Sequence, residues 1–283
     1  MKRLLLLLTP LLLLAACGTP PDVLVIGAVD KQVSAFPFEF SLQTDLLSLE
    51  RYQMRYYSSE ERLASALADG QVDVAVLPFT HFAGTDASVK LVRSMQRDGG
   101  ALVSTAETFD DARGYRVGVV NQYMLPMLGA LVSDSLRLGW ELVEYADRET
   151  MTAAWQAGEV QAVADAVPYA LGYGEDVTTL LFGDVFRGYP TADVLVHSAA
   201  LEHKQSLLND ALDAADTAAN LINAYPVQAY DSFLKAYPFK RDVIPQTLSH
   251  TWYYTTMDTA SVAFRTRAAG MLGVSARSLY ATP

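Results

Sequence analysis

The chain has 283 residues, 51% of them hydrophobic, with 21 basic and 32 acidic residues and a net charge of −11. So acidic a surface repels phosphate backbones and anionic head groups, which argues against a nucleic-acid-binding protein. The single cysteine rules out an intrachain disulfide and any cysteine-cluster metal site.

Met1-Lys2-Arg3 is a short positive flank, and residues 4–14 are leucine interrupted only by Thr9 and Pro10. This pattern is that of a secretory leader. The apolar run is too short to span a bilayer, which takes roughly 20 residues. Leu14-Ala15-Ala16-Cys17 then resembles the bacterial lipobox. That resemblance implies a signal peptide over 1–16, a palmitate-bearing Cys17 as the mature N-terminus, and a lipidated tether over 17–22. An ordinary signal peptide with an incidental cysteine is the alternative.

Residues 23–29 form a continuous apolar, β-branched run and predict a strand buried on both faces. Pro37 and the leucines at 42, 46, 47 and 49 predict a helix, and 53–57 a second strand. Ser58 and Glu61 read as a capping box opening a helix that Gly70 closes. Residues 72–77 predict a third strand, stopped by Pro78. Residues 89–95 and 101–105 are two further strand candidates.

The same grammar then returns. Strands are predicted at 115–120, 140–145 and 160–167, with helices from Asn121 and Pro126 to Gly139 and from Thr150 to a stop at Gly158. Ala68-Asp69-Gly70-Gln71-Val72-Asp73-Val74-Ala75-Val76 is echoed by Gln156-Ala157-Gly158-Glu159-Val160-Gln161-Ala162-Val163-Ala164. Both copies end in proline and an aromatic, Pro78-Phe79 and Pro168-Tyr169. Two βαβαβ copies imply two α/β lobes. After a strand at 193–197 the chain is mostly helical, over 201–222, from Pro226, and from Asp258. This tail is expected to pack back on the first lobe.

The order of lipobox, Val23-Leu24-Val25-Ile26-Gly27, the two Gly-stopped helix–strand units, Gly114-Tyr115-Arg116-Val117-Gly118-Val119 and Ala192-Asp193-Val194-Leu195-Val196-His197-Ser198 resembles the ABC-importer substrate-binding lipoproteins of the nitrate/sulfonate/thiamine-precursor group. The resemblance implies the type II periplasmic-binding-protein fold, two βαβαβ lobes joined by two crossovers. It puts lobe 1 at 23–105 and 190–283, lobe 2 at 106–189, and the crossovers near 104–110 and 186–192. It also implies a monomer with a small-molecule ligand, an ABC permease partner and a lipid anchor in a bacterial membrane, facing outward. The loop from Pro78 to Phe82 and Asn121-Gln122-Tyr123-Met124 stand where the family often has glycine and hydroxyl residues, which disfavours sulfonates.

In open α/β sheets, ligands bind beyond the carboxyl ends of the strands. That selects the loops 30–40, 78–82, 121–124 and 165–169 and the crossover near Tyr189. Their rings, Phe36, Phe38, Phe79, Tyr123, Tyr169 and Tyr189, suit a flat ligand, although some of them must be lobe core. Asn121, His81 and Asp165 are the candidate polar partners; capping competes with binding for Asn121. Only Lys31 is cationic in the four strand-end loops, which favours a nitrogen-containing heteroaromatic over an oxyanion.

The sequence shows no nucleophile elbow, metalloprotease motif or phosphate loop. The expectation is therefore a binding protein with no catalytic residue, cofactor or metal. An exported enzyme or a sensory module on the same fold is the alternative.

Overall fold

The computed structural model describes residues 23–84, 88–122, 124–254, 256–275 and Tyr280. Cys17, the leader, the tether and Tyr123 lie outside the described residues.

The first apolar run becomes β1 (Leu24–Val29), buried along its whole length as expected of a strand covered on both faces. Helix α1 (Phe36–Gln43) has Pro37 in its first turn but ends before the later leucines, and Leu46 and Leu49 are exposed. Strand β2 (Tyr52–Tyr57) pairs with β1 in parallel, Leu24 opposite Tyr52. Helix α2 (Glu60–Ala68) is capped one residue later than the capping box predicts. Ser59, not Ser58, accepts the Arg62 N–H, because Ser59 holds the extended conformation an N-cap needs. β3 (Val74–Leu77) lies on the other side of β1.

From there β4 (Val89–Asp98) runs through the first sheet and β5 (Gly100–Ser104) through the second. The second unit follows with β6 (Arg116–Val120), α3 (Leu125–Leu136), β7 (Glu141–Tyr145), α4 (Arg148–Gln156) and β8 (Ala162–Ala166). The edge strand β9 (Thr178–Leu181) precedes β10 (Pro190–His197), which returns to the first sheet. The tail contains α5 (Ser198–His203), α6 (Gln205–Ala224), α7 (Pro226–Ala236), α8 (Ile244–His250), β11 (Thr251–Tyr253) and α9 (Thr259–Met271). The first sheet has the order β11-β4-β10-β3-β1-β2, and the second β7-β6-β8-β5-β9.

The boundary expected at residue 105 is displaced. β5 pairs with β8 and β9 in the second sheet, so the chain crosses at Asp98–Gly100, ahead of the predicted 104–110. An apolar run announces a buried strand but not which sheet it joins. The crossing needs a left-handed kink, with Asp98 at φ 58° and Gly99 at φ 87°, a conformation glycine adopts at no steric cost. The return crossing passes through residues 182–189 and is laced to the first. Asp98 N–H donates to the Tyr189 carbonyl at 3.0 Å, Gly188 N–H to Asp98 Oδ1 at 3.0 Å, and Gly100 N–H to Tyr189 Oη at 2.8 Å.

The helical tail packs on the first lobe, as its composition suggests. Leu207, Leu208, Ala211 and Ala215 of α6 share one core with Leu24, Ile26, Val74 and Val194 of the sheet. Phe36 of α1, Phe233 of α7 and Tyr253 of β11 form a second core at the end of α6. α9 is fastened by a buried ion pair: Arg265 and Asp193 of β10 are 0% and 1% exposed, and Arg265 also donates to Ser94 of β4.

Candidate ligand-binding cleft

The carboxyl ends of β1 and β3 face those of β6 and β8 across the gap between the sheets, and the two sides touch. After β1, Lys31 stands in the left-handed region at φ 62° and its carbonyl accepts the Tyr169 hydroxyl at 2.9 Å. Tyr169 follows β8. Its ring carries the Arg148 guanidinium 3.5 Å above its centroid and meets Phe239 edge-on at 5.1 Å.

Arg148 is aimed by its own helix start. Asp147 caps α4 by accepting the Thr150 N–H at 2.7 Å, which holds the Asp147 carboxyl below its ordinary range. Arg148, next in the chain, then makes a bidentate pair with Asp165 at 2.7 and 2.9 Å. Asp165 is fully buried and also accepts the Tyr173 hydroxyl at 3.1 Å. Burial, reinforced by the Asp165 charge and opposed by Arg148, pushes the Tyr169 and Tyr173 hydroxyls above their ordinary range.

These groups form the wall of a cavity of about 700 Å³ whose lining comes from both sides: Arg148, Trp155, Tyr169 and Tyr173 from one, Phe239 and Lys240 from the other. Trp155 and Tyr173 meet edge-to-face at 5.3 Å. A second cavity of about 450 Å³ opens at the other flank, where Glu60, His81, Asn121, Met124 and Glu144 converge. There Glu60, 2% exposed, accepts Gln32 Nε2 at 2.9 Å and stands 2.9 Å from His81 Nε2. No Lys or Arg is among the described residues lining this cavity.

Of the residues singled out from the sequence, His81 and Asn121 share the second cavity. Tyr169 lines the first, and Asp165 stands behind it through Arg148. Four are core. Phe36, Phe38 and Phe79 are 0% exposed and Tyr189 is 2% exposed. Phe36 packs on Phe233, Tyr237 and Tyr253, Phe38 lies among Leu24, Leu47 and Ala215, Phe79 fills the apolar layer that includes Leu77 and Val89, and Tyr189 sits against Phe264. Strand-end loops this short bring their rings back over the lobe interiors, where burial is worth about 1.5–3 kcal/mol per large apolar side chain. Asn121 is exposed and does not cap α3, whose N-cap is Met124 at φ 59° with no side-chain bond. Asp165, which shows no partner in sequence, has Arg148.

Arg148, Trp155, Phe239 and Glu60 were not singled out from the sequence. The Asp147-to-Thr150 cap was the signal available for Arg148, since it fixes a helix start at the same end of the sheet as Tyr169.

No family model matches the sequence, and no curated protein resembles it in sequence. The likeness is in the architecture. The ligand-binding component of an ABC-type import system from Staphylococcus aureus, solved with zinc bound, superposes with a TM-score of 0.75 at 15% identity, over 93% of this chain and 97% of that one. The periplasmic aliphatic sulphonate binding protein of Escherichia coli gives 0.75 at 18% identity, over 93% of each chain. A Candida albicans protein described as having the generic periplasmic binding protein structural fold gives 0.67 at 12% identity, over 91% and 93%. This is the periplasmic-binding-protein fold. In it, the Tyr169–Lys31 contact is a contact between lobes, and both cavities belong to the interlobe cleft.

Proposed function

We propose that the chain is an extracytoplasmic solute-binding lipoprotein, anchored through Cys17, that captures a small molecule between its lobes and delivers it to an ABC permease without converting it. The observation that carries this reading is the arrangement of two sheets on two laced crossovers, with cavities between them lined from both sides. Such lobes can rotate about the crossovers, and a ligand touching both sides stabilises the closed state. The similarity in fold to binding components of import systems supports it.

The solute is a flat, nitrogen-containing ring in the cavity beside Tyr169. Tyr169, Tyr173, Trp155 and Phe239 offer ring surface there, and Thr152, Gln156 and Asp242 offer polar edges. The aromatic content comes from different rings than the strand-end loops suggest. The two cations of the lining do not turn the cavity toward oxyanions, because the Arg148 guanidinium is paired with Asp165 and Lys240 shares the lining with the carboxylates of Glu175 and Asp242.

Mass spectrometry of ligand extracted from purified protein, followed by calorimetry with pyrimidines and with alkanesulfonates, tests the solute. Affinity for a sulfonate and none for any heterocycle would overturn the ring and leave the binding role standing. Turnover of the ligand by the purified protein would sink the binding role. Cys17→Ser is expected to shift the protein out of the membrane fraction; unchanged partition and mature mass would remove the anchor.

A further inference from the structure

Glu39 lies away from the cleft on α1, 4% exposed. Its Oε1 accepts the Tyr56 hydroxyl at 3.0 Å, while Oε2 is buried with no well-formed hydrogen bond, its nearest polar neighbour being the equally buried Tyr237 hydroxyl. An unsatisfied buried carboxylate oxygen costs roughly 1–3 kcal/mol, so native proteins rarely keep one without a use. Glu39 also lines an open groove of about 650 Å³ along the outer edge of the first sheet, between α1, β2 and the end of α7. The groove is walled by apolar surface: Leu42, Met54 and Leu49, which is 72% exposed. Tyr56, whose hydroxyl holds Oε1, is itself 52% exposed.

We infer that this groove is a second ligand site, distinct from the interlobe cleft, which takes an organic cation whose N–H groups pair with the Glu39 carboxylate and whose apolar body lies on Leu42, Leu49 and Met54. A buried carboxylate is compensated fully only by a partner that brings both hydrogen bonds and positive charge. The protein supplies none: among the described residues, neither Lys31 nor Lys235, both on the groove, forms an ion pair with Glu39. Asp30 on the rim is balanced by Lys31 and Lys235, so the preference for a cation comes from the buried Glu39 carboxylate itself.

The site has a pH signature. Burial pushes the Glu39 carboxyl up to about 7, against the Tyr237 and Tyr56 hydroxyls, which lower it, and with Asp30, which raises it further. The other titratable groups around the groove are Lys31, Lys235, Tyr52 and Tyr253. A cation binds the ionised form, so its affinity rises with pH through that range.

Benzamidine is the probe, an amidinium on a flat apolar ring, with benzoate as the control of opposite charge. Calorimetry on the purified protein is expected to give saturable benzamidine binding at pH 8, roughly tenfold weaker at pH 6. Glu39→Gln should weaken it at least tenfold and remove the pH dependence. Leu49→Ser, at a solvent-exposed wall position that the fold does not need, should weaken it several-fold with an unchanged melting curve. Failure of benzamidine to saturate, binding of benzoate in its place, or binding untouched by both substitutions overturns the inference. The groove shares only Lys31 with the interlobe contact, and neither substitution touches that residue or the lining of the cavity beside Tyr169.

Discussion

The Tyr169 hydroxyl and the Lys31 carbonyl oxygen are 2.9 Å apart and belong to opposite lobes. One hydrogen bond thus joins the loop after β8 to the loop after β1. The same tyrosine ring is fixed from behind by Arg148 and from the side by Phe239. Wall, cation and lobe contact are therefore one mechanical unit.

Tyr169→Phe keeps the ring contacts and removes the hydroxyl that donates to Lys31. A hydrogen bond of this kind is worth about 1 kcal/mol, so the closed-to-open ratio is expected to fall about fivefold. Small-angle scattering should show a larger radius of gyration in the unliganded variant; an unchanged curve rejects the lobe contact as a latch. Tyr169→Ala also removes the ring and should weaken solute binding several-fold.

Asp165→Ala strips the bidentate partner from Arg148 and the acceptor from Tyr173. Breaking a buried pair costs on the order of 3–5 kcal/mol, and the lower end applies because Arg148 is a quarter exposed and can turn to water. Urea unfolding measures the loss. A change under about 1 kcal/mol would mean that the pair is not formed in solution.

Arg265→Met leaves the Asp193 charge buried without its partner and should cost roughly 3–5 kcal/mol. The double variant Arg265→Met, Asp193→Leu is expected to recover most of that loss, because no charge is left stranded. If the two single effects simply add, the pair is not coupled.

Glu39 gives the stability a pH component of known sign. Its carboxyl is raised from 4.5 to about 7 by burial, so the folded state holds its proton more tightly than the unfolded chain. The stabilisation from that proton is complete below about pH 4.5 and is lost as the pH rises through 7. Its size is on the order of 3 kcal/mol. Glu39→Gln, compared with the parent from pH 4.5 to 8, should lack this decline; parallel curves would show Glu39 to titrate normally.

The parallel strands were legible because burial on both faces writes continuous apolar runs, as in β1 and β3. The helix stops were legible because Gly70 and Gly158 carry positive φ, which the sequence marks by glycine itself. The short edge strands β9 and β11 were not, since Thr178–Leu181 and Thr251–Tyr253 are too brief to show a period. The aromatic wall was half legible. Tyr169 is at the cleft, yet Phe36, Phe38 and Phe79 are core, and nothing local separates a ring that folds inward from one that faces a ligand.

The sequence by itself determined the βαβαβ repeat and the helical tail, because periodicity, caps and stops act within a few residues of where they are written. The tertiary structure alone decided that β5 belongs to the second sheet, that Arg148 grips Asp165, that Tyr169 reaches Lys31, and that Glu39 is buried beneath Tyr56. Each of these joins side chains or strands whose partners are distant or out of phase in the chain. Their pairing is set by how layers pack and which charges burial forces together, and no local pattern encodes that.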